Sequence, residues 1–363
     1  MATSFVAYDH SVEVALPNEE HVFDEIATTM TNIAHRIGDR ARHSARAVHA
    51  KSHGLLQAEL AVDANLSEPF KQGLFSHSGA YPCIMRFSTN PGDMLPDSVS
   101  TPRGLAVKVI GVEGEMLEGH SGNVTQDFVF VNAKAFPAPD AAKFLEQIRV
   151  LEKHATDSQA FKQIVSTTAR IAEDALETFG QESASLKGFG HARTHILGET
   201  FSSVAALRYG NYIAKIAFEP ASANLKALTD KQLEYPNDYS AIRDAVVKFF
   251  ETETAVWDVK VQLMTDRAAM PVEDASIEWS EELSPYVKVA TLTAGPQDAY
   301  SFQRRAFVDE VLSFNPWHGL VAHRPLGSVM RARKKAYQAS SHFRHATNAR
   351  PSVEPKSIAE LPA

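Results

Sequence analysis

The spacing of hydrophobic positions divides the first half of the chain into one helix and several short strands. Residues 19–42 carry Phe, Ile and Met at three- and four-residue steps, which predicts an amphipathic helix. Glycine, proline and asparagine then interrupt the pattern repeatedly, as they do between short strands. The clearest apolar or alternating runs predict strands at 60–62, 84–87, 105–110 and 123–131.

The second half of the chain mixes the same two kinds of pattern. Helical spacing predicts helices at 140–151, 158–179, 241–252, 296–312 and 326–348. Strands are predicted at 212–219 and 257–263, where apolar residues alternate with charged ones as in half-buried antiparallel strands. This mixture predicts an α+β fold. Without repeats or a composition shift, we expect an N-terminal arm at 1–18, one domain at 19–348 and a loose C-terminal tail at 349–363.

Composition and charge narrow the classes of partner. The 363 residues are 44% hydrophobic and carry a formal net charge of −8. A net negative chain without a basic run is not expected to bind nucleic acid or an anionic membrane surface. Its single cysteine, Cys83, excludes an internal disulfide and a cysteine-based metal site. The sequence shows neither a signal peptide nor a membrane span, so we expect a cytoplasmic protein.

The strongest local candidate for chemistry is the spacing Arg333-x-x-x-Tyr337 in the last predicted helix. Residues four apart on a helix share one face, one turn apart. A guanidinium in that position favours the phenolate, and an anionic phenolate oxygen suits ferric iron. The alternative is an exposed arginine stacked on a tyrosine, and the pair alone does not decide between them.

Four further groups precede this pair in a suggestive order: Arg46-Ala47-Val48-His49, Arg86-Phe87-Ser88, the run 102–108, and Asn123 with Phe128 and Phe136. Together they resemble the haem catalase family, and most closely the short catalase-like peroxidases. The resemblance covers residues from about 20 to 348. It implies an antiparallel eight-stranded β-barrel with flanking helices, bound haem b and a homo-oligomer such as a dimer.

The resemblance also implies a role for each matching residue. Tyr337 would bind the iron, and Arg333 would keep the phenol of Tyr337 ionised. His49 would move the peroxide proton, and Asn123 would orient the peroxide oxygens. Ser88 would fix the tautomer of His49. The haem propionates would pair with Arg46, Arg86 and Arg344, and the porphyrin would pack against Phe128 and Phe136. Alternatively, Asn123 is a turn residue after Gly122, and the two phenylalanines are ordinary core residues.

The implied function is a haem-dependent peroxidase or catalase that acts on hydrogen peroxide or organic hydroperoxides through a ferryl intermediate. A second peroxide or a small organic reductant would then restore the haem. One alternative is a catalase-like isomerase of fatty-acid hydroperoxides, of the allene oxide synthase type. Val48 speaks against it, because those enzymes carry a hydroxyl residue before the histidine. Another alternative is a non-catalytic haem-binding protein, which His49 disfavours because it supplies a base.

Two stretches depart from the family pattern. Residues 51–57 are bulkier than the glycine-rich stretch of full-length catalases, and Asp127 places a charge where the family has an apolar residue. The chain also ends soon after the helix that carries Tyr337. We therefore expect a wider entrance, weaker disproportionation of peroxide and easier access for organic substrates.

Overall fold

The computed structural model describes residues 4–41, 43–90, 92, 94–99, 101–154, 194–233 and 239–363. Its strands are β1 Lys51–Val62, β2 Gly79–Thr89, β3 Arg103–Ile110, β4 Thr125–Val131, β5 Phe201–Ser202, β6 Leu207–Tyr209, β7 Tyr212–Pro220, β8 Ala255–Leu263 and β9 Val287–Ala294. The sequence pattern did not identify β9, which pairs with both β1 and β8. The helix predicted at 158–179 lies outside the described residues.

The helices are α1 Glu19–Ala41, α2 Ala141–His154, α3 Ala223–Lys226, α4 Ala241–Phe250, α5 Phe302–Arg305 and α6 Ser328–Thr347. Short 3-10 turns occur at His10–Val12, Glu68–Phe70, Gly73–Phe75, Ile196–Gly198, Val321–His323 and Ile358–Glu360. The helix predicted at 296–312 begins only at Phe302, because the Ser301 side chain caps it, and it continues as a π-helical turn at Ala306–Val311. Every helix in the described ranges is too short or too polar to cross a lipid bilayer.

The strands form a closed antiparallel barrel. They pair in the order β5, β4, β3, β2, β1, β9, β8, β7, and β5 pairs back onto β7 through Phe201↔Phe218 and Ser202↔Ala217. This closes a barrel of eight strands among the described residues, while β6 adds to the edge of β7. The prediction of an eight-stranded antiparallel barrel with flanking helices is therefore confirmed.

The barrel strands present different chemistry on their two faces. Alternate residues such as Leu56, Met85, Phe87 and Val107 fill the barrel interior together with Trp257. The residues between them point outward, because successive side chains on a strand alternate between faces. On this outer face an apolar patch consists of Leu55, Ile84, Ala106 and Ile110. Polar residues such as Arg86 and Ser88 share that face, and they form part of the candidate site.

A helical layer lies beside this outer face. The stripe predicted on α1 is buried, and Phe23, Ile26 and Met30 pack against Ala332 and Ala336 of α6. Helix α2 joins the same cluster through Leu145 and Ile148. The layer fixes α6, which carries Arg333 and Tyr337, against the chain segment that leads into β1.

Both ends of the described chain pack onto the fold. In the N-terminal arm, Val6 donates a backbone hydrogen bond to Met264. The C-terminal segment 349–363, predicted to be a loose tail, instead covers the apolar patch of the outer face with buried Leu361. Arg304 Nε also donates to the carbonyl oxygen of Pro362 at 2.9 Å. The segment docks because it removes from water an apolar patch that would otherwise be exposed.

Candidate active site

His49 and Tyr337 line the same internal space between the outer face of the barrel and helix α6. Two adjoining cavities, of about 720 and 1050 Å³, are both bordered by these two residues. Their shared walls also include Met30, Val48 and Val129, so the space is largely apolar. We call the two together the His49–Tyr337 cavity. Residues from opposite ends of the sequence therefore meet across one cavity.

The Tyr337 side of the cavity is built within a single helix. Arg333 Nη2 donates a hydrogen bond of 2.8 Å to Tyr337 Oη, and its guanidinium carbon lies 5.1 Å from the centre of the phenol ring. This is the contact that the four-residue spacing predicts. A donated charge-assisted hydrogen bond stabilises negative charge on the phenol oxygen.

The His49 side depends on the backbone and on two neighbouring strands. His49 has a φ of 52°, in the left-handed region that residues with side chains rarely occupy. Arg86 Nη2 donates to its carbonyl oxygen at 2.7 Å, and Ser88 Oγ lies 3.3 Å from its Nδ1. A Cβ atom on Gly104 would lie only 2.7 Å from Nδ1, so only glycine fits there. Residues of β2 and β3 hold the imidazole in place, and the backbone of His49 is in a strained conformation.

His49 is a neutral base in this setting. Burial, and then the positive charges of Arg86 and Arg333, lower the pKa of the imidazole to about 3. With Nδ1 beside Ser88, Nε2 is the nitrogen available to a bound molecule. The ring therefore stays unprotonated at neutral pH, with a nitrogen open to a ligand's proton, and the lowered pKa makes it a weaker base than a free imidazole.

The three predicted propionate partners converge on Asp309, a residue that sequence reasoning missed. Arg46 Nη1 lies 2.9 Å and Arg86 Nε 3.1 Å from Asp309 Oδ1, and Arg344 Nη1 donates to the Asp309 carbonyl oxygen at 2.5 Å. Burial alone would raise the pKa of Asp309, but Arg86 and Arg46 hold it below its usual value. The available signal was an acidic residue within the apolar run of the π-helical turn.

This group of side chains has more positive than negative charge. The three guanidiniums lie near two carboxylates, those of Asp309 and Glu310, which leaves an excess of one positive charge at the wall of the cavity. Burial, and then Arg86 and Arg344, lower the pKa of Arg46 well below its usual value, and burial lowers that of Arg344 to about 10. A ligand that carries negative charge would offset the free-energy cost of burying these like charges together.

Asn123 is not brought to His49 by the structure. It lies in a turn just before β4, where its backbone N–H donates to the carbonyl oxygen of His120 at 3.1 Å. Glycines with positive φ flank this turn, Gly119 at 86° and Gly122 at 83°. Of the cavities in the described part of the chain, Asn123 lines one that also contains Tyr337 but not His49.

The two predicted phenylalanines occupy different environments. Phe136 lines the larger part of the His49–Tyr337 cavity, and its ring centre lies 5.1 Å from that of Phe144. Phe128 instead packs inside the barrel, 6.0 Å from Phe130. Its neighbour Val129 faces the cavity, because alternate residues of β4 point to opposite faces.

Each of the two departures noted in the sequence includes a charged residue that forms a buried ion pair. Buried Lys51, at the start of β1, lies 2.5 Å from Asp97. Asp127 pairs with Lys108 at 2.6 Å and lines the cavity of Asn123 rather than that of His49. Neither charge faces the imidazole.

The residues present fit a haem. A phenol oxygen that accepts an arginine hydrogen bond is a suitable ligand for ferric iron. The same cavity offers a neutral base in His49, its remaining walls are largely apolar, and the three arginines supply cationic partners for two carboxylates.

Comparison with known proteins identifies close structural and more distant sequence similarity. A family model described as catalase matches residues 17–350. The catalase of Listeria seeligeri is 25% identical over 295 residues, which are 77% of this chain and 56% of that protein. The catalase of Listeria monocytogenes is 24% identical over 297 residues with the same coverage. This chain thus spans little more than half the length of these relatives.

Solved structures show the same fold. Catalase A from Saccharomyces cerevisiae aligns with a TM-score of 0.63 and 17% identity, over 96% of this chain and 70% of that chain. A bacterial catalase aligns with a TM-score of 0.58 and 19% identity, over 98% of this chain and 68% of that chain.

Proposed function

The chain belongs to the catalase family, and we propose that it is a haem-dependent oxidoreductase that consumes hydrogen peroxide or organic hydroperoxides. One observation carries this proposal: a neutral imidazole and an arginine-bonded phenol line the same largely apolar cavity. A cytoplasmic location and assembly as a homo-oligomer, such as a dimer, stay predictions.

The haem b that we propose would be held by residues already in place. Tyr337 Oη would bind the iron, with Arg333 stabilising its charge, and the group of Arg46, Arg86 and Arg344 would balance the two propionates. When bound, the haem iron would supply the electrons that reduce peroxide and would later recover them from a donor.

The chain's own contribution to turnover is proton transfer. His49 Nε2 would take the proton from the peroxide oxygen that stays bound and return it to the oxygen that leaves, so that the O–O bond breaks and water departs. Ser88 would keep the imidazole in the required tautomer through Nδ1. A role for Asn123 in orienting the oxygens needs its turn to approach His49, and it too stays a prediction.

Val48 favours peroxide reduction over hydroperoxide isomerisation. It lines the same cavity beside His49 and has no hydroxyl that could hydrogen-bond the imidazole. The base strength of His49 is therefore undiminished by its neighbour in the sequence.

The test is an absorption spectrum of the purified protein, followed by hydrogen peroxide in an oxygen electrode. We expect a ferric haem spectrum with a phenolate ligand and prompt loss of peroxide. Oxygen release would indicate disproportionation, and oxidation of an added donor would indicate peroxidase turnover. Absence of haem, or haem with peroxide left intact, would overturn the proposal. Conversion of a fatty-acid hydroperoxide to an epoxide without a reductant would establish the isomerase instead.

A further inference from the structure

A second, polar cavity lies beside the first and is open to solvent, with an empty volume of about 1130 Å³ that includes part of its mouth. We call it the polar cavity, and it shares Tyr337 with the His49–Tyr337 cavity. Its walls are rich in imidazole rings: His120, His318, His342 and His345. Because the phenol ring borders both spaces, a molecule in the polar cavity would sit next to the proposed haem.

One wall of the polar cavity is a network of buried ionic and hydroxyl groups. Fully buried Lys108 lies 2.6 Å from Asp127 Oδ1 and 2.5 Å from Glu354 Oε1. Thr125 Oγ1 donates to Glu354 Oε1 at 2.6 Å and lies 2.7 Å from His318 Nε2. Hydrogen bonds therefore connect an imidazole of the wall to the half-buried carboxylate of Glu354.

The charges of this network do not favour anions. One ammonium, that of Lys108, is paired with the carboxyl groups of both Asp127 and Glu354. Burial is the main cause that raises the pKa of Asp127 to about 7, so this carboxyl is partly protonated near neutral pH. The network therefore carries no positive excess that would attract a fatty-acid carboxylate or a phosphate.

The remaining groups suit a flat molecule that donates hydrogen bonds. His120 and His318 are neutral, because burial lowers the pKa of each ring, and their ring centres lie 4.3 Å apart. A neutral imidazole offers one acceptor nitrogen. Phe314 and Tyr337 add aromatic surface to the same cavity.

We propose that the polar cavity binds a small neutral phenol of the hydroquinone class, which serves as the electron donor for peroxide reduction. The proposal rests on the proposed function for its oxidant, the peroxide. Each phenol loses one electron and one proton, so two phenols reduce one hydrogen peroxide to two waters and leave two phenoxyl radicals. The imidazole of His318 receives the phenol proton and can pass it through Thr125 to Glu354. Glu354 lies beyond residues 17–350, the part that the catalase model matches.

The test titrates hydroquinone into the purified holoprotein without peroxide and measures binding by calorimetry. Ser352→Trp would fill the cavity from an exposed rim position, and Gln338→Trp would fill it from helix α6. We expect each to weaken binding by about tenfold or more, equivalent to about 1.4 kcal/mol. Lys356→Trp adds the same bulk at an exposed position outside the cavity lining, and it should bind like the wild type.

A kinetic measurement separates the donor site from the peroxide site. Hydroquinone oxidation by Ser352→Trp should fall by about the same factor as its binding. A wild type that binds no hydroquinone, or blocked variants that bind or oxidise it as well as Lys356→Trp does, would overturn the donor site. Peroxide loss is followed in parallel without a donor and with an excess of hydroquinone. Its absence under both conditions in the wild type would overturn the proposed function, whereas binding to the polar cavity is scored independently by calorimetry.

Discussion

The two walls of the His49–Tyr337 cavity are built in opposite ways. The Tyr337 wall is one helix, and its essential contact joins residues four apart. The His49 wall is assembled from the start of β1, Ser88 on β2 and Gly104 on β3, around a residue with positive φ. A local contact survives small movements of the fold, whereas an assembled one depends on several separate segments. The first wall would control metal binding, and the second proton transfer.

The largest effect should come from a substitution in the Tyr337 wall. Tyr337→Phe keeps the ring but removes the oxygen that accepts the Arg333 hydrogen bond. We expect loss of the phenolate–iron absorption and of peroxide turnover, measured by spectroscopy and the oxygen electrode. Tyr300→Phe, outside the cavity lining, is the matched control and should retain both. Undiminished turnover in Tyr337→Phe would mean that this wall does not hold the metal.

A substitution in the His49 wall should lower turnover without releasing the haem. His49→Gln removes the base but preserves much of the side-chain volume, so we expect turnover to fall by about a thousandfold while the haem spectrum persists. The measurement is the initial rate of peroxide loss per bound haem. His21→Gln, on the exposed face of α1, serves as the control. Loss of haem together with the rate would show that the two walls are not functionally separate.

A smaller effect should follow from moving the imidazole without removing it. Gly104→Ala would place a methyl group 2.7 Å from His49 Nδ1 and 3.0 Å from Ser88 Oγ. The ring must shift, and we expect turnover per haem to fall by about tenfold to a hundredfold. Gly295→Ala is the control, because its Cβ would meet no atom within 4 Å. Equal rates in the two variants would show that the position of His49 is not critical.

The smallest effect should be that of pH. A histidine with the ordinary pKa of 6.5 would lose about thirtyfold of its neutral form at pH 5. The pKa of His49 is lowered to about 3, so the neutral base persists and is lost only as the pH falls towards that value. We expect turnover per haem to change less than about twofold between pH 8 and pH 5. A midpoint near pH 6.5 that disappears in His49→Gln would contradict the burial of this ring.

The same contrast explains what sequence reasoning could predict. The Arg333–Tyr337 contact and the buried stripe of α1 follow from helical spacing alone. The barrel came from family resemblance, and β9 escaped notice because the adjacent buried residues Val289 and Ala290 interrupt its alternation of apolar and polar positions. Which face of β4 meets the cavity depends on the pairing of Val129 with Ala106. Strand register is set by tertiary structure and cannot be derived from the sequence pattern. Phe128 was therefore expected at the cavity, whereas it lies inside the barrel.

Charged residues show the same limit. The sequence marks Arg46, Arg86 and Arg344 as arginines in need of anionic partners. It does not show that all three meet Asp309, since Arg46 and Arg86 lie 263 and 223 residues from Asp309 in the chain and Arg344 lies 35 residues from it. Asn123 was placed from its spacing to Phe128, but a turn with two left-handed glycines sets its actual position.

The docked C-terminal segment has a practical consequence for protein engineering. A boundary drawn at residue 350, where the family match ends, would delete Leu361 from the outer face and Glu354 from its contact with Lys108. The ammonium of Lys108 would lose one of its two carboxylates while keeping Asp127. An affinity tag is therefore better attached through a spacer after Ala363, whose carbonyl oxygen accepts a hydrogen bond from Ser301, than substituted for the last dozen residues.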